Sequence, residues 1–412
     1  MRTNFTPSQL TDPHLAEAQR NLRTCVHCGI CTATCPTYVL LGDERDGPRG
    51  RIVMMQQMLE EGGAPTSETV LHIDRCLSCL ACRTACPSSV DYARLIDTAR
   101  IHIQTRHRRP TGDRLLRWLI AKVMTRPALV RIGLAFAPLG RGLPGRLGAM
   151  ARIGAKARRQ ARASAPPAVA DERLRIALMP GCVQAALAPE IDQAAARVLA
   201  RRGIALVPLD GAGCCGSLVH HLGRGEEAKS FARRAIAAFE RSGCDGVLIT
   251  ATGCSAHLKD LGHLFAGEPA WAARASAFAA KARDFLELAQ ARGTAPQRLR
   301  VAWQAPCSLQ NGLRLADAGR KLLVESGFEV LDIPEGHLCC GSAGAYSILQ
   351  PQIAGELRSR KLANIAALKP DVIATANIGC LHHLGGPDAP PIVHLAELID
   401  WADGGAKPDP LR

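Results

Sequence analysis

Aromatic residues are scarce in this chain: 8 Phe, 4 Trp and 3 Tyr make up 4% of its 412 residues. Proteins that track nucleic-acid strands rely on aromatic platforms where bases stack. The net charge of +14 therefore does not imply a nucleic-acid partner, and none is expected. No apolar run approaches the ~20 residues that a membrane-spanning helix needs. The opening stretch, MRTNFTPSQLTDPHLAEAQRNLRTC, has no apolar run that could act as a secretory leader. No C-x-x-C-H occurs, so covalent haem attachment is not indicated. Acids are missing from one region above all. Residues 100–162 hold 16 Lys+Arg and a single acid, Asp113, so this segment carries +15 and the rest of the chain sums to −1.

Cysteine, by contrast, is plentiful, with 17 in the chain. The cysteines cluster at ligand spacings, which fits a reducing cytoplasm better than a disulfide framework. The run CVHCGICTATCP (25–36) recurs as CLSCLACRTACP (76–87), each reading C-x2-C-x2-C-x3-C-P. Three cysteines two residues apart wrap one tight turn around a cluster, and a fourth from elsewhere closes the cage. In the two-cluster ferredoxin run, the fourth cysteine of each copy ligates the other copy's cluster. Two [4Fe-4S] clusters are predicted, one on Cys25, Cys28, Cys31 and Cys86 and the other on Cys76, Cys79, Cys82 and Cys35. Zinc also takes four thiolates at C-x2-C spacing. It does not explain a duplicated run that ends in proline.

The length suggests two or three domains. Between the cysteine runs, a helix is predicted from Arg51 to Glu61, ended by Gly62 and Gly63. After the second run, Tyr92, Leu95, Ile96, Ala99 and Ile103 fall on one face of a helix. A helical ferredoxin domain over residues 1–105 follows from these signals. Residues 106–170 form a basic amphipathic connector with apolar patches at 115–120 and 128–139 and a plain linker at 160–170. Such a stretch can lie on an anionic lipid surface, dock an acidic partner, or simply be a solvated helical linker.

From Leu174 onward the chain repeats itself. Cys182, the pair Cys214-Cys215 and Cys254 return as Cys307, Cys339-Cys340 and Cys380, at intervals of 125, 125 and 126 residues. Strands alternate with helices in both copies, 171–296 and 297–412, which predicts parallel sheets. The fold class expected is α+β multidomain, a helical ferredoxin domain followed by a duplicated α/β region. In such sheets ligands gather at the carboxyl ends of strands, where all these cysteines fall. Metal ligation by the eight is the functional reading, and packed thiols or a redox-active vicinal pair are the alternatives. Gly211, Gly213 and Gly216 match G-x-G-x-x-G. The match overlaps the Cys-Cys-Gly signature, and no acid ends the next strand, so a dinucleotide site is not expected. Cys244 stands outside every motif and reads as a packed thiol. Arg49, Arg51, Arg75 and Arg83, beside the cysteine runs, could offset cluster charge or be ordinary surface residues.

The paired Cys-Cys-Gly pattern resembles the CCG (cysteine-rich) domain of heterodisulfide reductases and their relatives. That family's pattern usually ends C-x-x-C, whereas here His257 and His383 stand where the last cysteine would be. Either imidazole could replace a thiolate as ligand, and an additional iron-sulfur cluster at the CCG repeats depends on it. The order of parts, with RTCVHCGICTATCPTY, GDERDGPRGRI and the paired CCGS and GC blocks, resembles iron-sulfur subunits of glycolate oxidase over essentially the whole chain. The resemblance implies an electron-transfer subunit of a glycolate oxidase (glycolate dehydrogenase) complex. Separate FAD-containing subunits would oxidise glycolate to glyoxylate, and electrons would pass towards a quinone or other acceptor. The alternatives are an equivalent subunit of a lactate or glycerol-3-phosphate dehydrogenase, or a heterodisulfide-reductase-like catalytic subunit. No flavin or nicotinamide site and no catalytic base stands out in the sequence, as suits an electron relay. The expected location is cytoplasmic or peripheral on the cytoplasmic face of the inner membrane.

Overall fold

The computed structural model describes residues 1–137, 145, 146, 148, 167–169 and 171–412. The end of the apolar patch at 128–139 and most of the linker at 160–170 lie outside the described residues.

The N-terminal unit is built of helices. Asp12 caps the helix Pro13–Thr24 by accepting from the His14 amide, and Asp91 caps Tyr92–Arg106 by accepting from Ala93. The helix predicted from Arg51 begins three residues earlier, spanning Pro48–Glu61, because Pro48 supplies the fixed φ of a first helical residue. It ends before Gly62 as expected. The predicted stripe Tyr92, Leu95, Ile96, Ala99 and Ile103 is buried against Leu22, Ile52, Met55, Leu59 and Ile73. This core carries the two cysteine runs on its rim.

The described residues of the basic segment include the helices Thr111–Val123 and Pro127–Phe136. Ile120 and Ala121 are fully buried in the core of the first repeat. Arg109 and Arg117 pair with Asp74 and Asp113 at 2.5–3.5 Å. The described part of the connector is therefore packed rather than free. Leu115, Trp118, Ile132 and Phe136 on these helices remain exposed. Among the described residues, no helix is long and apolar enough to cross a membrane.

Each repeat contains a four-stranded parallel sheet. Strands β1 (Leu174–Leu178), β2 (Ile204–Pro208), β3 (Gly246–Ile249) and β4 (Ala282–Asp284) lie in the order β2-β1-β3-β4. Strands β5 (Arg300–Gln304), β6 (Glu329–Leu331), β7 (Val372–Thr375) and β8 (Ile392–His394) repeat this as β6-β5-β7-β8. Every pairing is parallel. The interior strands β3 and β7 read GVLI and VIAT and are buried at every position, because helices cover both faces of a parallel sheet. The repeats share one apolar core running from Ile176 and Leu199 to Val372 and Trp401. At its edge the buried Asp400 receives Arg197 and Arg201 across the repeat boundary at 2.7 Å each.

Candidate functional site

Cys25, Cys28 and Cys31 follow the end of the Pro13–Thr24 helix, with Cys28 exposed. Cys86, from the second run, borders the same small cavity of about 30 Å³. Burial, and then Cys25, Cys86 and Cys28 nearby, push the Cys31 thiol up to about 11. Four thiolates at this spot need a cation among them, which is what a metal-sulfur centre supplies. Val26 and Ile30 are 69% and 55% exposed, so this set lies at the surface.

The second set is deeper. Cys76, Cys79 and Cys35 are buried and Cys82 is half-buried. Burial raises the Cys79 thiol most, followed by Cys307 and Cys35, while Cys82 is raised by burial and by Cys79, Cys76 and Cys35. The fourth cysteine of each run thus faces the other run's three. The loops share a backbone device that sequence reasoning missed. His27 and Ser78 occupy matching places with φ of 56° and 52°, and so do Gly29 and Leu80 with 80° and 60°. Left-handed non-glycine residues are strained and persist where the surroundings hold them at a functional loop.

Arg51 was legible only as an arginine near the clusters. It is 1% exposed. Its Nη1 lies 3.8 Å from Cys35 Sγ, Nε donates to His72 O at 2.8 Å, and Nη2 donates to Thr37 Oγ1 at 3.1 Å and Asp46 Oδ1 at 3.3 Å. Burial works against its charge, but Cys76, Tyr92, Cys35 and Asp46 hold the guanidinium firmly protonated. Asp46 also meets His72 Nδ1 at 3.0 Å and accepts from Arg75 at 2.8 Å. Asp43, Asp46 and His72 are close enough to cage a cation. With two arginines already on Asp46, that trio reads as an ion-pair hub instead.

In the repeats, Cys182 follows β1, Cys214-Cys215 follow β2 and Cys254 follows β3, all beyond the carboxyl ends of the strands. Cys307, Cys339-Cys340 and Cys380 repeat this placement. Cys182 and Cys214 sulfurs are 3.4 Å apart, as are those of Cys340 and Cys380. The amides of Gly216 and Gly341 each donate to the first cysteine of the pair, Cys214 or Cys339, at 3.5 Å. Gly216 and Gly341 have φ of 87° and 94°, and a Cβ on Gly341 would lie 2.6 Å from Ala354 O. Glycine after the pair is thus required by both conformation and space. Hydrogen bonding with Cys214, together with burial, drives the Cys182 and Cys215 thiols up, while the same hydrogen bonds pull Cys214 down.

One cavity of about 1550 Å³ joins these parts, bordered by all eight repeat cysteines together with Cys76 and Cys79. The second set reaches the second repeat directly. Leu77, Cys79 and Ala81 pack with Cys339 and Tyr346. Asn311 Nδ2 donates to Cys79 O at 2.9 Å and Tyr346 OH donates to Arg75 O at 2.9 Å. His257 and His383 both border the cavity. Burial lowers His257 to about 4, so its ring is neutral at physiological pH. Cys244 is half-buried and packs on the core of the first repeat, apart from both sets.

This geometry agrees with comparisons to known proteins. Residues 24–90 match the 4Fe-4S dicluster domain, and residues 176–259 and 301–385 match the cysteine-rich (CCG) domain. The glycolate oxidase iron-sulfur subunit of Escherichia coli (strain K12) is 38% identical, the alignment covering 98% of this chain and 99% of that protein. The chain belongs to this family of iron-sulfur subunits. A probable glycolate oxidase iron-sulfur subunit of Bacillus subtilis (strain 168) is 30% identical over 93% of this chain and 94% of its own. Lactate utilization protein A of Geobacillus kaustophilus (strain HTA426) is 28% identical and matches 55% of this chain and 99% of that protein. As an iron-sulfur subunit of this family, the chain works in electron transfer within an oxidoreductase complex.

Proposed function

We propose that the chain relays electrons in a glycolate-oxidising complex, from FAD-bearing partner subunits towards a quinone-type acceptor. Two [4Fe-4S] clusters would be held by Cys25, Cys28, Cys31 and Cys86 and by Cys76, Cys79, Cys82 and Cys35. When bound, they supply one-electron redox centres. The protein's own residues do the rest. The loops fix the thiolates, Arg51 and its partners hold positive charge beside Cys35, and Leu77 and Ala81 pack against Tyr346, which seats the second set on the second repeat.

The observation that carries this reading is the order of the thiol sets. The first is at the surface, the second is buried, and the second abuts Cys307 and Cys339 of the repeats. Electrons entering at the exposed set would pass inward through the second and reach the cavity. The eight repeat cysteines are proposed to hold further metal there. Exposed Leu115, Trp118, Ile132 and Phe136 on a basic segment support seating on an anionic membrane face.

The test is to purify the chain with its flavin subunits and add glycolate, lactate or glycerol 3-phosphate anaerobically while following the clusters by EPR. Glycolate is expected to reduce them. Reduction by dithionite but by none of the three substrates would refute the reading, and reduction by lactate or glycerol 3-phosphate alone would reassign the complex.

A further inference from the structure

The duplication puts His257 and His383 at equivalent positions, each three residues after the last cysteine of its repeat. The two imidazoles are nevertheless used differently. His383 Nε2 lies 3.1 Å from Ala354 O, and the His383 carbonyl accepts from Arg358 Nε at 2.7 Å. A Cβ on Gly341 would stand 3.1 Å from the same Nε2. This ring ties the helix Ile378–Leu384 to the helix Pro351–Ala367. His257 Nε2 is also buried, but it has no hydrogen-bond partner among the described residues. Its ring stands 5.3 Å from that of His220, and it borders the same cavity as Cys182, Cys214, Cys215 and Cys254. A buried polar atom without a partner is destabilising and asks for an explanation such as an unseen ligand.

The charges around the two sets differ as well. Lys361, 2% exposed, donates from Nζ to Glu335 O at 2.8 Å and lies close enough to Cys340, Cys339 and Cys380 to feel their charge. Its helix, Pro351–Ala367, corresponds to Gly225–Ser242 in the first repeat, offset by 126 residues at their starts. At that offset the first repeat has the fully buried Ala235. The second repeat thus carries its own buried cation beside the thiols. The first repeat has an uncharged side chain at that place.

We propose that the repeats hold non-equivalent metal centres: His257 Nε2 is a nitrogen donor beside the thiolates of Cys182, Cys214, Cys215 and Cys254, whereas the equivalent His383 is not a ligand to the set of Cys307, Cys339, Cys340 and Cys380. This rests on the reading above that the repeats bind metal. The class of ligand is a thiophilic cation that also accepts imidazole, iron in an iron-sulfur centre or zinc. Lys361 does for the second centre's charge what no residue on the matching helix does for the first. His383 is a structural residue.

The test uses the full chain prepared anaerobically, as wild type and as His257→Ala, His257→Cys and His383→Ala, with iron, zinc and sulfide analysis, EPR and thermal melting. In the wild type, metal is expected beyond what the two N-terminal clusters contain, and its identity separates iron-sulfur from zinc. His257→Ala should lose the metal of one centre, and added imidazole should restore it. His257→Cys should keep the metal with an altered spectrum. His383→Ala should keep the metal but melt at a lower temperature. Full metal content and an unchanged spectrum in His257→Ala would overturn the proposal, as would equal metal loss in both alanine variants. Wild-type protein with no metal beyond the N-terminal clusters would overturn both this proposal and the reading beneath it, a result distinct from the other two.

Discussion

Arg51 offers the sharpest quantitative check on how the fold sets its redox behaviour. Its guanidinium is buried 3.8 Å from Cys35 Sγ. At an effective dielectric of about 20, unit charges ~4 Å apart interact by roughly 4 kcal/mol. One added electron spreads over the centre, so if about a quarter of its charge falls on the Cys35 side, the guanidinium favours the reduced form by roughly 1 kcal/mol. A tenfold change, about 1.4 kcal/mol, is 59 mV for a one-electron couple. Arg51→Met should therefore lower the potential of the second cluster by about 40–50 mV. Asp46→Asn acts in the opposite sense and should raise it, because it removes the negative partner at 3.3 Å. The assay is an EPR-monitored redox titration of the full chain, with iron content confirming that both clusters are present. Arg51→Met also leaves Asp46 buried with fewer partners. Breaking a buried pair costs roughly 3–5 kcal/mol, and Arg75 and His72 still face Asp46, so the loss should sit at the low end. Arg51→Lys, which keeps the charge, guards against misfolding. Unchanged potentials in fully loaded Arg51→Met and Asp46→Asn would refute the reasoning.

Two further outcomes are expected. Cys35→Ser should perturb the cluster whose other ligands are Cys76, Cys79 and Cys82 while sparing the one at Cys25, Cys28 and Cys31; EPR of the reduced protein distinguishes them, and loss of the surface cluster alone would contradict crossed ligation. Asp97 is pushed up to about 6 by burial, against the opposing pull of Arg100 and Arg94 and with Asp260 and His257 nearby. Its folded form holds a proton more tightly than the unfolded chain does, so its effect on stability is a penalty that grows as pH rises from about 4 to about 6 and is constant above. The shift corresponds to about 3 kcal/mol. Asp97→Asn should remove that pH dependence and melt at a higher temperature at pH 7.5; equal melting temperatures for the two proteins at that pH would show that Asp97 is not so strained.

The ferredoxin runs and the duplication were legible because local spacing encodes them. A cluster demands cysteines at fixed intervals, and a parallel sheet places recurring cysteines at the ends of recurring strands. The helices were legible for the same reason, since Tyr92 to Ile103 repeat at the period of a helix. Burial of the basic connector was harder to read. Its apolar patches could face lipid, a partner or the protein itself, and only packing of Ile120 and Ala121 into the first repeat resolved part of that question.

Sequence alone determined the kind of chemistry: how many thiol sets there are and the twofold plan of the C-terminal half. These depend on intervals along the chain. Tertiary structure decided which of the equivalent residues are chemically alike. His257 and His383 have the same place in the pattern, and Arg51 is one arginine among several in the GPRGR stretch and its surroundings. Whether an imidazole is free or spent on a carbonyl, and whether an arginine is solvated or sealed beside a thiol, depends on what distant segments pack around it. Spacing does not record that, because burial is set by contacts between residues far apart in the chain.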